Sequence, residues 1–72
     1  MQITFIVYYQ IEGHNNYAIN YREMVNGADM GCRPLPAITD MNAVRSYILM
    51  DSAAVCFADN IYFEWRRCED CV

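Results

Sequence analysis

The sequence predicts an α+β fold, a small antiparallel sheet in the order β-β-α-β with one helix packed on one face. Three observations carry this expectation. Apolar residues alternate with period two through residues 2–12 and again through 17–24. They recur at helical spacing from Met41 onward, and a last alternating run covers 61–66.

The first run places Ile3, Phe5, Val7, Tyr9 and Ile11 on one side of a strand and Thr4, Ile6, Tyr8, Gln10 and Glu12 on the other. Gly13-His14-Asn15-Asn16 is a turn cluster whose residues tolerate positive φ. Tyr17, Ile19, Tyr21 and Glu23 then alternate against Ala18, Asn20, Arg22 and Met24, which completes a hairpin. Asn26-Gly27 is a second turn of the kind that closes a hairpin. It either folds residues 28–33 back as a short edge strand or opens a loop. Gly31 and Pro34 disfavour a regular strand, so the loop is the preferred reading. Pro34-Leu35-Pro36 ends that stretch in an extended form. Thr39 is the expected N-cap, with Ile38 before it and Asp40 in the first helical turn. Met41, Val44, Tyr47, Ile48 and Val55 follow the helical period, so a helix covers 40–50 and either ends at Asp51-Ser52 or continues to about Phe57. After the Asp59-Asn60 turn, Ile61, Phe63 and Trp65 alternate with Tyr62, Glu64 and Arg66 in a closing strand. The helix is expected to cover Ile3, Phe5, Val7, Tyr9, Ile19, Tyr21, Phe63 and Trp65.

Length and composition fit one domain spanning residues 1–72, with 56% hydrophobic residues against the roughly 45–50% of ordinary globular chains. Disorder requires low hydrophobicity with high charge, and this chain lacks the first. No apolar run approaches the ~20 residues of a membrane span, and Met1 leads straight into a strand without a basic leader. These features predict a soluble cytoplasmic protein. Nine carboxylates stand against five arginines with no lysine, for a formal net charge of −4. Such a chain repels phosphate backbones and anionic lipid, so neither nucleic acid nor membrane is the expected partner.

The residues that carry chemistry are few. Cys68-Glu69-Asp70-Cys71 is a C-x-x-C pair, and zinc would need two more ligands from Cys32, Cys56 or His14, which stand alone. Glu69 and Asp70 raise rather than lower a neighbouring thiol pKa, against a redox role. Free thiols are the preferred expectation over a zinc site or a disulfide, with no metal and no other cofactor. His14 sits in a turn without a positioned partner, so no catalytic residue is assigned and the chain is read as a non-enzyme. The sheet face away from the helix presents Tyr8, Asn20, Arg22, Tyr62, Glu64 and Arg66. Tyr and Arg are the types that dominate binding hot spots, although such pairs also merely cover a sheet or a dimer seam. Glu12, Glu23, Asp29, Glu64, Glu69 and Asp70 are the carboxylates expected to meet a basic partner. The same charges also serve plain solubility.

A short acidic chain with the hairpin ITFIVYYQ…YAINYREMV, the segment PAITDMNAVRSYI and the closing strand IYFEW resembles the small proteins carried by phages and prophages, anti-CRISPR proteins among them. That resemblance covers architecture and no specific motif. It implies stoichiometric binding to a host protein complex such as a CRISPR effector, in the bacterial cytoplasm, by blocking a basic nucleic-acid-binding surface. The expected partner-binding residues are Tyr8, Glu12, Arg22, Glu23, Asp29, Tyr62, Glu64, Arg66, Glu69 and Asp70, with a homodimer as a further possibility. One alternative is a binder of nucleotide immune signals with Arg22, Arg66 and Arg67 as phosphate ligands. A second is a zinc-stabilised adaptor.

Overall fold

The computed structural model describes residues 1–68, the Ala37 side chain excepted. The elements are strands β1 (Gln2–Glu12), β2 (Asn15–Val25) and β3 (Ala28–Ile38), helix α1 (Met41–Asp51), a 3-10 turn (Ala53–Phe57) and strand β4 (Asn60–Arg67). They form an α+β fold with a four-stranded sheet in the order β3-β2-β1-β4.

Two hairpins build most of the sheet. Gly13, at φ 62°, turns β1 into β2. Asn26 and Gly27, at φ 49° and 83°, turn β2 into β3 through the left-handed geometry that Asn-Gly accepts at least cost. The loop expected over 28–33 is therefore corrected: the chain continues as a full strand paired antiparallel to β2. Its irregular residues are accommodated because β3 is an edge. Pro34 stands opposite Asn20, and an outer strand tolerates a proline better than an inner one. Gly31, at φ 101°, lies where the register slips between Arg22 and Met24, a bulge that only a residue without a Cβ fits easily.

The third strand decides the direction of the fourth. Two hairpins make β3 run parallel to β1, and a crossover helix returns the chain in the direction it left. β4 accordingly lies beside β1 in parallel, Gln2 opposite Asn60 through Tyr9 opposite Arg67. The sheet is mostly antiparallel with this one parallel pair.

Helix α1 carries the chain from one edge of the sheet to the other. Its N-cap is Asp40, one residue later than expected, and Asp40 Oδ1 accepts from the Asn42 N–H at 2.9 Å. It ends at Asp51, where Ser52 adopts an extended backbone and its N–H closes on the Ile48 carbonyl. The residues to Phe57 form the separate 3-10 turn. Val44 and Ile48 are the helix residues driven fully into the core, one turn apart on the same face.

The core comprises Ile3, Phe5, Val7, Ala18, Tyr21, Leu35, Val44 and Ile48. Phe63 and Trp65 pack against it partly buried. Ile19 is absent from it, contrary to the alternation. The β1–β2 register slips between Tyr8 and Tyr9, so Tyr8 faces Asn20 while Tyr9 faces Ala18. A one-residue slip reverses the faces, and Ala18 takes the inward place.

Candidate functional site

The face of the sheet opposite α1 carries no element of the described chain. Strand alternation and register set its side chains out as a grid. One row runs Asp29, Met24, Thr4, Tyr62, the next Cys32, Arg22, Ile6, Glu64, and the third Pro34, Asn20, Tyr8, Arg66. Five of the predicted partner-binding residues (Tyr8, Arg22, Tyr62, Glu64 and Arg66) thus share one surface with Asp29 at its rim. Ile6 in the middle is only 7% exposed although no helix covers it. Its cross-strand neighbours on either side are Arg22 and Glu64.

Charges on this face are paired inside the molecule. Arg22 Nη1 is hydrogen-bonded to Asp29 Oδ2, which raises the arginine pKa further. Asp29 also accepts the Gly31 N–H at 2.8 Å, and that bond, followed by Arg22, holds its carboxyl below the usual range. Arg66 Nη2 lies 2.8 Å from Glu64 Oε1 on the same strand. Tyr62 is 51% exposed. Asn20 Oδ1 and Arg22 Nε are buried here without a hydrogen-bond partner among the described residues.

The other predicted residues lie elsewhere. Glu23 is corrected outright: it is buried on the helix-covered face, opposite Phe5, and Ser52 Oγ donates a hydrogen bond to its Oε1. Glu12 is exposed at the end of β1, on the rim of a cleft shared with Gln10, Ile11, Arg67 and Cys68. Glu69, Asp70 and Cys71 lie outside the described residues. Cys32 and Cys56 are exposed free thiols. Cys68 is disulfide-bonded, which corrects the free-thiol expectation there. Among the described residues no three His, Cys, Asp or Glu side chains come together as metal ligands. No described helix is long and apolar enough to cross a membrane.

Two groupings have no counterpart in the sequence reading. In the first, Arg45 stands over Trp65 at 5.2 Å and over Phe63 at 5.9 Å, beside a shallow cleft of ≈ 270 Å³ lined also by Tyr9, Asn16 and Met41. The second lies at the end of α1. The hydroxyl of buried Tyr21 donates to Asp51 Oδ2 at 2.7 Å, and Arg33 Nη1 is 4.0 Å from the same oxygen. Burial first, then the hydrogen bond and charge of Asp51, push the Tyr21 phenol well above its ordinary value. The unfolded chain ionises this phenol near pH 10, so above about pH 10 the folded state holds more protons than the unfolded one. The stability contributed is complete below that pH and falls as pH rises. Thermal melts are expected to show a steeper loss of Tm from about pH 9.5 to 11 in the wild type than in Tyr21→Phe. Equal slopes would remove Tyr21 from the alkaline transition.

Compared with known proteins, the chain matches no family model, no curated protein and no solved structure. The site itself therefore carries the functional reading. A grid of Tyr, Arg, Glu and Met side chains offers apolar contact, cation–π contact and bidentate hydrogen bonding over a broad surface. Arg22 and Arg66 hold carboxylates on this face, whereas Arg67 alternates to the face of Trp65, so the three arginines do not converge on one phosphate-sized point.

Proposed function

We propose that the chain is a non-enzymatic protein-binding module that docks through the helix-free face of its sheet. In its specific form it is a cytoplasmic inhibitor of a host defence complex, in the manner of anti-CRISPR proteins, occupying a basic nucleic-acid-binding surface. One observation carries the reading: Tyr8, Tyr62, Arg22, Glu64 and Arg66 stand side by side on a sheet face that no described element covers. Small-molecule sites are concave, and a broad sheet face suits a protein better.

The carboxylates act here in alternation with arginine. Asp29 and Glu64 each hold an internal arginine, Asp59 holds the amino terminus, and Asp51 accepts from Tyr21. A basic partner competes with Arg22 and Arg66 for Asp29 and Glu64, which sets register as much as attraction. Binding weakens with added salt, because these pairs are solvent-exposed.

The test is capture of a CRISPR effector from an extract of a host that expresses one. The tagged wild type is compared with a Tyr62→Ala, Arg66→Ala double variant and with Met50→Ala, whose side chain is 88% exposed on α1. The double variant is expected to bind at least about thirtyfold more weakly, the effect of losing a hot spot of about 2 kcal/mol. Met50→Ala is expected to match the wild type. Full capture by the double variant, or no effector captured by the wild type, would contradict the proposal.

A further inference from the structure

We propose that β4 pairs edge to edge with β4 of a second copy of the chain, antiparallel and centred on Trp65. The pairing is argued from the backbone edge of β4 and not from the open face, although Glu64 and Arg66 belong to both.

The two outer strands of the sheet are built differently. β3 is blunted by Pro34, Pro36 and the bulge at Gly31, the devices that keep an edge from recruiting another strand. β4 contains no proline, no glycine and no register slip along its pairing with β1. In a parallel ladder the N–H and C=O of one residue address the same neighbour, and successive residues address opposite sides. The Cys68 N–H donates to the Tyr9 carbonyl at 2.7 Å, so Arg66, Glu64 and Tyr62 address β1. Phe63 and Trp65 then direct their backbone groups outward. Among the described residues no backbone hydrogen bond from outside the sheet reaches either of them. Unpaired backbone groups on a regular strand are a template for another strand.

The side chains select a second copy as that strand. A twofold axis perpendicular to the sheet must pass midway between the two copies of one residue, because facing side chains share a face. With the axis at Trp65, Glu64 of each chain faces Arg66 of the other, giving two opposite-charge cross-strand pairs. On the covered face Phe63 then faces Arg67 of the copy. With the axis at Glu64, the two Glu64 carboxylates oppose each other, which is unfavourable. With the axis at Phe63, Glu64 faces Tyr62 and neither charge finds its complement. The Glu64–Arg66 pair within each chain, at 2.8 Å, shows that these side chains reach across one row of the same face. Pairing exchanges an internal ion pair for an external one. The charges therefore set register, while the newly paired backbone groups and the Trp65–Trp65 contact supply the attraction. The dimer joins two helix-free faces into one continuous surface.

Sedimentation equilibrium of the purified full chain tests this in two steps. The wild type is expected to self-associate to twice the monomer mass of 8.4 kDa as its concentration rises. Glu64→Arg alone and Arg66→Glu alone each set like charges opposite each other twice, and each is expected to weaken the dimer at least about tenfold, or about 1.4 kcal/mol. An equimolar mixture of the two variants restores both opposite-charge pairs and is expected to recover a heterodimer. Circular dichroism of each variant confirms that loss of the dimer is not loss of fold. A wild type that stays monomeric at all concentrations overturns the proposal. So does a dimer indifferent to the single reversals, or a mixture that fails to recover.

Discussion

Phe5→Ala is expected to lower the free energy of unfolding by about 3–5 kcal/mol, the cost of emptying a buried aromatic site. Phe5 is fully buried at the centre of the sheet, with Tyr21 edge-on at 5.9 Å and Phe63 at 5.4 Å between ring centroids. It thus ties β1 to both of its neighbours, and its loss leaves a gap that neither ring can close from its own strand. At roughly 0.05–0.15 kcal/mol per residue, a chain of 72 residues has only about 4–11 kcal/mol in total. The variant is therefore expected to be largely unfolded, or to melt far below the wild type, in urea titrations followed by far-UV circular dichroism. A midpoint within experimental error of the wild type would show that the core does not converge on Phe5.

Ser52→Ala is expected to cost about 1.5–3 kcal/mol, the range for removing a buried hydrogen bond to a charged group. Ser52 is only 8% exposed at the end of α1, and Glu23 is 9% exposed beneath it. The alanine leaves the Glu23 Oε1 atom without its hydroxyl donor in a place water scarcely reaches. Glu23→Gln keeps an acceptor for Ser52 and should cost much less. The ordering of the two urea midpoints is the measurement: Ser52→Ala below Glu23→Gln, and Glu23→Gln nearer the wild type. The reverse order would mean that the contact is not what holds the end of α1 to β2.

Much of this fold is legible along the chain. Strand alternation identifies β1, β2 and β4 and assigns Ile3, Phe5, Val7 and Tyr21 to the covered face. The helix is legible from Val44 and Ile48, and its cap falls one residue from the expected position. The misread segment is 28–33, which belongs to a strand that runs on to Ile38. Prolines and a glycine argue against a strand only if the strand lies inside a sheet, and position in the sheet is a tertiary property. Were the segment a loop, the crossover would leave from β2 and β4 would run antiparallel to β1. As a strand, it reverses the direction of β4.

The open face was equally legible, because period-two alternation lists its residues without knowledge of the register. Tyr8, Arg22, Tyr62, Glu64 and Arg66 follow from it directly. Glu23 shows where a charge count alone misleads. The same alternation that sends Tyr21 inward sends Glu23 inward, and its charge is met by Ser52 rather than by solvent. The Ser52 contact and the Tyr21–Asp51 bond were not legible, since they join residues about thirty positions apart through a helix end whose placement depends on packing. Ala18 displaces Ile19 through a register slip that no local signal announces.

Oxidative footprinting of the chain with its captured effector tests most directly whether the helix-free face is the docking surface. Tyr62 and Met24 lie on that face, whereas Phe57 and Met50 are exposed at 75% and 88% away from it. Protection of Tyr62 and Met24 on binding, with Met50 and Phe57 oxidised as in the free chain, is the predicted result. Protection of Met50 and Phe57 with Tyr62 unchanged would contradict it.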